Sequence, residues 1–334
     1  MSVWTDTALL GIYTLSPTHC GTGQATGAID LPVARDASTG FPVLPATGIK
    51  GVARDSLSAP IGPLDKKIVD ELFGPEITSD DTRGALIAGK LAFTEARLVA
   101  YPARSFGRPF LHVTCPLILE RLARDLRYVG RGDDFLPENW HTPGATDVRA
   151  LVSDPAWVDR GLVLEGLVYG PDDVGVHPQL KEFGGRLAEL LPSEEEESRE
   201  RLRSGLVVIP DADFRALMDR AVPVQARIHL TKGKTTGRWR DPNTGLDDNS
   251  GNLWYEEHLP SECLFLALVG ERRSRVVQKG GEHESGGHGL HTLKDNANAL
   301  RTIQIGGNET VGQGLCLCTV WPPAKEDFSQ EVAG

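Results

Sequence analysis

An apolar run from Leu9 to Leu15 stops at Ser16-Pro17, and turn signals then fill the chain until an amphipathic stretch opens at Thr47. Residues 7–15 are mostly apolar, β-branched or aromatic, which predicts a buried strand. The loop that follows carries Gly21, Gly23 and Gly27, then Asp30 between Ile29 and Leu31-Pro32, then a second turn at Ser38-Thr39-Gly40. Thr47 is placed to N-cap a helix over about 48–58, with Ile49, Val52, Ala53 and Leu57 toward the core. Glycines let backbone approach a ligand closely, and side chains at a strand exit are common carriers of function. His19, Asp30, Arg35, Lys50 and Arg54 therefore share one short, turn-rich stretch. The glycine spacing is G-x-G-x-x-x-G with no helix opening directly after it, so a dinucleotide fingerprint fails on context.

Further along, Leu64–Phe73 reads as a helix stopped by Gly74-Pro75. Strand signals between Ala85 and Tyr101 end in a basic, aromatic loop at 102–109. Val113–Val129 fits a helix with Pro116 in its first turn, and Arg121, Arg124 and Arg127 form a stripe that reads as a solvated face. The stretch 130–160 supports no assignment. Gly161–Val168 is a strand candidate, 178–204 a helix, and Leu206–Ile209 a strand. Asp211 is placed to cap a helix to Ala221, and the alternation in 222–230 predicts a half-buried strand. The polar, basic stretch 231–251 holds Lys232, Lys234 and Arg238 and is either a long protruding hairpin or a disordered loop. Leu253–Glu257 and Cys263–Val269 read as a strand pair, His291–Leu300 as a helix, and Ile303–Ile305 and Leu315–Trp321 as strands. No repeat of 20–50 residues is visible.

A chain of 334 residues can bury a large core as one elaborated domain or two. No apolar run approaches the roughly 20 residues of a membrane span, and the N-terminus lacks a basic start followed by an apolar core. Five cysteines without a framework spacing suit a reducing cytoplasm. Cys316 and Cys318 share one face of a strand and read as buried rather than as a metal pair. A formal net charge of -11 argues against nucleic-acid binding through the whole surface. The charge is uneven, because Glu194–Glu197 and Glu200 supply much of the excess; a local basic groove can still hold a phosphate backbone.

There is no G-x-x-x-x-G-K-[ST], H-E-x-x-H or G-x-S-x-G in the chain. The loop 306–314, with Gly306, Gly307, Gly312 and Gly314, can offer backbone amides to phosphates. His283, His288 and His291 with Glu282 and Glu284 offer donors for a metal, but spaced histidines in a glycine-rich loop read first as incidental. A lone Asp in a loop is usually a turn residue or cap. Asp30 has a second reading, because a carboxylate beside glycines, His19 and Arg35 can hold a divalent metal, activate a nucleophile or orient a phosphodiester.

Three stretches carry a family resemblance. They are Thr18-His19-x-Gly21-x-Gly23 with Ile29-Asp30-Leu31-Pro32, Arg35, Thr39-Gly40-Phe41-Pro42-Val43 and Gly48-Ile49-Lys50-Gly51; Asn252-Leu253-Trp254-Tyr255-Glu256-Glu257 with Leu259-Pro260; and Gly306-Gly307-Asn308-Glu309-Thr310-Val311-Gly312-Gln313-Gly314. Together they resemble the RAMP-superfamily backbone subunit of type III-B CRISPR (Cmr) complexes, in order and over most of the chain. The resemblance implies an α+β fold with a ferredoxin-like (RRM-like) RAMP core, long insertions at about 102–204 and 231–251, and a protruding β-hairpin thumb, all in one domain spanning 1–334. It implies an RNA-binding subunit that stacks as a homo-oligomeric filament on guide crRNA, beside other Cmr subunits, and cuts paired target RNA at regular intervals. That endoribonuclease activity depends on a divalent metal (Mg2+ or Mn2+) and uses the RNA's own 2′-hydroxyl as nucleophile. The family's catalytic and metal-associated Asp falls on Asp30; its loop histidine falls on His19, and an assisting acid on Glu256 or Glu257. Gly21, Gly23, Arg35, Lys50, Arg54, the 306–314 loop and Lys232, Lys234 and Arg238 are the expected RNA contacts. Cys20 stands where relatives often carry proline. A non-catalytic RNA-binding scaffold and a metal-dependent small-molecule enzyme are the alternatives from other classes.

Overall fold

The computed structural model describes residues 3–23, 27–76, 88–141, 148–230, 234, 253–278, 281–285 and 288–323. Strand β1 (Trp4–Thr14) pairs antiparallel on both sides and is buried over its last eight residues. An edge or one-faced strand would need alternating polarity; β1 is covered on both faces, so its sequence is a continuous apolar run. A short β2 (Val43–Leu44) leads into α1 (Ala46–Leu57), followed by α2 (Lys66–Phe73). Next come β3 (Leu91–Phe93), β4 (Ala96–Arg104), β5 (Phe110–Thr114), α3 (Pro116–Tyr128) and α4 (Gly132–Phe135). The middle of the chain holds β6 (Ala150–Val152), β7 (Leu162–Leu164), β8 (Leu167–Tyr169), β9 (Val174–Val176), α5 (Leu180–Ala188), α6 (Glu196–Gly205), β10 (Leu206–Val208) and α7 (Asp211–Ala221). Strands β11 (Val224–Ile228), β12 (Leu253–Glu257), β13 (Leu264–Arg272), β14 (Ser274–Gln278) and β15 (Gly281–Ser285) precede α8 (Gly289–Asp295), β16 (Thr302–Gln304) and β17 (Leu315–Trp321).

Eleven strands form one mixed sheet in the order β16-β17-β1-β13-β4-β5-β10-β6-β9, with β2 on β4 and β3 on β13. The β5/β10 and β6/β9 pairs are parallel and the other pairs in this sheet antiparallel. Ala8, Leu10 and Ile12 of β1 face a core closed by α1, α2, α7 and α8, while Leu9 and Tyr13 face a second core closed by α3, α5 and α6. Gly11 is required here, since a Cβ would sit 2.6 Å from that of Leu190. Cys316 and Cys318 lie in the first core, and all five cysteines are free and buried. Among the described residues no helix is long and apolar enough to cross a membrane.

Several elements differ from expectation. α1 starts at Ala46 with Pro45 as N-cap, so Thr47 lies inside the first turn. β4 runs through Pro102 to Arg104, because antiparallel pairing with β5 continues there; only the turn between them is loop. Residues 113 and 114 belong to β5, and α3 begins at Pro116, whose missing N–H costs nothing at a helix start. Asp211 is the first helical residue of α7, and its carboxylate instead accepts the Leu117 amide of α3 at 2.9 Å. The helix expected over 178–204 is two helices, α5 and α6, split around Pro192, and residues 161–168 fall on a β7–β8 hairpin. β12 pairs with β11, not with β13, which joins the main sheet. β11 is exposed at four of its five residues rather than half-buried.

Candidate functional site

The loop after β1 is fastened across the molecule by backbone. Thr18 and Leu259 exchange amide bonds at 2.9 and 2.8 Å, the Leu31 amide donates to Tyr255 at 3.1 Å, and the Glu257 amide donates to Leu31 at 3.0 Å. Residues 30–33 thus lie along β12 as an added strand segment. The third stretch closes over both: the Gly307 amide donates to His19 O at 3.0 Å and the Gly314 amide to Pro17 O at 2.9 Å. Gly306 has φ +91, and a Cβ there would meet His19 O at 2.2 Å, so only glycine allows this approach. Three stretches far apart in sequence therefore form one surface.

Asp30 is exposed on that surface. Its Oδ2 accepts the Tyr255 amide at 2.8 Å, and among the described residues its carboxylate has no other hydrogen-bond or ionic partner. One oxygen is fixed and the other is free, so the carboxylate could ligate a hard divalent ion. The acidic neighbours differ. Glu257 is buried, takes Arg35 on Oε1 at 3.0 Å and accepts the Val33 amide on Oε2 at 3.0 Å. Glu256 is 2% exposed, beside His19 Nδ1 at 3.6 Å and Arg227 Nε at 2.7 Å, and its Oε1 accepts from Asn308 Nδ2. His19 Nδ1 lies 2.8 Å from the Glu257 carbonyl, which fixes the ring. A Cβ at Gly21 would come within 2.6 Å of His19 Nε2, so Gly21 leaves space for the imidazole. Cys20 is not a nucleophile in this setting, since burial pushes its thiol up to about 12.

The expected RNA contacts divide into two kinds. Arg35 is taken up by Glu257 and by the Gly40 carbonyl at 3.0 Å, and Arg54 by Asp70 at 2.7 Å and the Gly74 carbonyl. These two guanidiniums hold loops together. Lys50 has no acidic partner among the described residues, and it lines a cleft with Thr47, Gly74, Gly89 and Arg272. Burial first, then the charges of Arg54 and Arg272, pull its pKa below the usual lysine range. Gly23 and Gly312 have positive φ and open space around them. Lys234 is exposed with φ 57, whereas Lys232 and Arg238 lie outside the described residues, as does most of the 231–251 stretch. The side chains of Glu282, His283 and Glu284 also lie outside what is described, and His291 pairs with Asp295 at 3.3 Å. Arg121 and Arg124 are ion-paired with Asp36 and Asp125.

His258 is the residue that sequence reasoning passed over. It is 1% exposed, close to Glu256 and His19, and neither ring nitrogen has a hydrogen-bond partner. The available signal was the alternation Glu256-x-His258, which puts both side chains on one side of an extended chain.

Residues 11–316 match the RAMP superfamily. The CRISPR system Cmr endoribonuclease Cmr4 of Pyrococcus furiosus is 30% identical over 323 residues, covering 93% of this chain and 95% of its own. The crystal structure of oligomeric Cmr4 from Pyrococcus furiosus superposes with a TM-score of 0.65 at 26% identity, over 94% of this chain and 97% of that one. A chain of a type III-B Cmr-beta assembly bound to cognate target RNA shares the fold at a TM-score of 0.65 and 18% identity, over 95% and 98% of the two chains. With the family match spanning nearly the whole described fold and the three motif stretches meeting on one surface, the chain belongs to the RAMP superfamily.

Proposed function

We propose that this chain is the backbone and target-cleaving subunit of a type III-B Cmr effector. It stacks on guide crRNA beside other Cmr subunits and acts as an endoribonuclease on paired target RNA at regular intervals. The observation that carries the reading is the convergence around Asp30: His19 and Glu257, 238 positions apart, are in hydrogen-bond contact, and Asp30 itself is anchored to the strand that bears Glu256 and Glu257. Similarity to the Pyrococcus furiosus endoribonuclease supports the activity, and similarity to its oligomeric form supports assembly.

In this reading the RNA's 2′-hydroxyl attacks the adjacent phosphate, which needs in-line positioning, proton removal and charge neutralisation. The free oxygen of Asp30 faces solvent and is available to orient the hydroxyl or take its proton. A divalent ion, Mg2+ or Mn2+, would be held by Asp30 and would supply Lewis-acid neutralisation at the scissile centre. His19 is held by the Glu257 carbonyl at the rim of the same surface, and the leaving 5′-oxygen takes its proton from water. Lys50 and the amides of the 306–314 loop take guide phosphates, and Arg35 and Arg54 keep the underlying loops in place. The ferredoxin-like core, the insertions at about 102–204 and 231–251, the thumb formed by the latter, a single domain over 1–334 and a cytoplasmic setting belong to the same reading.

The test is Asp30→Ala in a reconstituted complex. Guide binding and assembly stay intact, and target cutting falls by about 100-fold or more, the scale of a lost acid–base group. Cutting at the native rate would remove Asp30 from the chemistry.

A further inference from the structure

His19, Glu256 and His258 each present a donor atom within 4.8 Å of the other two, at the inner edge of the surface that carries Asp30, which is not part of this group. A cluster of titratable groups alone is weak ground. Here a second observation points to a ligand: His258 is 1% exposed, yet both of its ring nitrogens lack a hydrogen-bond partner. Buried polar atoms in folded proteins are nearly always paired, so a fully orphaned imidazole calls for a partner. The nearby carboxylate does not meet the need: no hydrogen bond joins it to His258, and its oxygens face Asn308 and Arg227. Arg227 Nε sits 2.7 Å from that oxygen but off hydrogen-bond alignment, so the contact is ionic and leaves lone-pair directions on the carboxylate open.

We propose that His19, Glu256 and His258 form a resident site for a borderline divalent ion of the Zn2+ or Co2+ class, separate from any hard ion that Asp30 holds. Two imidazole nitrogens and one carboxylate suit such ions, whereas Mg2+ is taken by oxygen ligands. Tetrahedral bonds of about 2.1 Å place donors about 3.4 Å apart. Donors within 4.8 Å of one another therefore need to close by up to about 1.4 Å, a side-chain rotation. His19 Nδ1 rests on the Glu257 carbonyl at 2.8 Å and lies 3.6 Å from Glu256 Oε1, so the ring turns to present a lone pair to the ion. Arg227 opposes the ion by like charge, which sets a direct test of the geometry.

The experiment titrates Co2+ into metal-stripped full-length protein and reads visible absorption and calorimetric stoichiometry; RNA cleavage is not a readout, so its outcome is independent of the proposed function. The native protein takes up one equivalent with a ligand-field spectrum. His258→Asn weakens binding by about tenfold or more, since even loss of an outer partner reaches that range. Asp30→Asn and the combined His283→Asn, His288→Asn, His291→Asn variant retain the site, and Arg227→Gln binds more tightly. Absence of stoichiometric binding in the native protein overturns the proposal. So does unchanged affinity in His258→Asn, or loss of binding in the triple variant. If His258→Asn fails to fold, Arg227→Gln decides: tighter binding upholds the site, and equal or weaker binding overturns it.

Discussion

Glu257 places both carboxylate oxygens inside the fold, on Arg35 and on the Val33 amide, and so joins the loop after β1 to the end of β12. Removing it leaves the Val33 amide without a partner and the Arg35 guanidinium with the Gly40 carbonyl alone. Glu257→Ala should destabilise by about 3 kcal/mol, the low end for a broken buried pair because Arg35 is partly solvated. Denaturant unfolding checks this, and an unchanged midpoint contradicts it. His112 on β5 is a second case where one residue sets a global property. It is fully buried, its Nε2 donates to the Glu262 carbonyl at 3.1 Å, and its Nδ1 has no partner. Burial lowers its pKa to about 4. The unfolded chain takes up this proton near pH 6.5 and the folded chain does not, so the unfolded state binds more protons between the two values. Stability from His112 is full above about 6.5 and is lost as pH falls toward 4, on the order of 3 kcal/mol. Native protein minus His112→Gln, compared by unfolding at pH 7 and pH 4.5, should show that slope only in the native chain.

At the scale of elements, α1 carries two cations with different duties. Arg54 is bound to Asp70 and Gly74 of α2 and its C-cap, while Lys50 opens onto a cleft with no acidic partner among the described residues. Lys50→Ala should weaken RNA binding equally for all sequences and flatten the slope of log affinity against log salt by about 0.7. Arg54→Ala should leave that slope unchanged and lower the unfolding midpoint. Equal slopes for both variants would return Lys50 to a solvated face. The sequence made β1, β10, α2 and β17 legible, because each is a clear apolar run or amphipathic stretch with a turn residue just beyond its end. It left 231–251 open between a long hairpin and a loop and paired β12 with β13, since the shorter connection is the default; the fold pairs β12 with β11 across 229–252. The role of Asp211 was hidden for a related reason: its amide partner, Leu117, comes from a helix 94 positions away. The site was legible where residue types were unusual, as at Asp30 and the glycine loops. Arg35 and Arg54 looked like free cations because their partners at Glu257 and Asp70 are set by tertiary packing. His258 carried no signal of burial.

For the whole molecule the governing fact is a net charge of -11 on a chain that is argued to hold RNA. Part of the acid is neutralised within the fold: Glu200 pairs with Arg203, and Glu194 with Arg301, both at 2.6 Å. The remaining excess opposes encounter between RNA and a lone subunit. Stacked subunits would align their Lys50 clefts and 306–314 loops along one guide, and linked weak contacts then give an affinity that no single subunit has. The same stacking would present one Asp30 per subunit at a constant repeat. The measurement is the cleavage pattern of end-labelled target RNA on complexes assembled over guides of increasing length. The account predicts a ladder of evenly spaced cuts that gains a rung with each added subunit and vanishes in Asp30→Ala. A single cut independent of guide length, or a ladder that persists in Asp30→Ala, would contradict it.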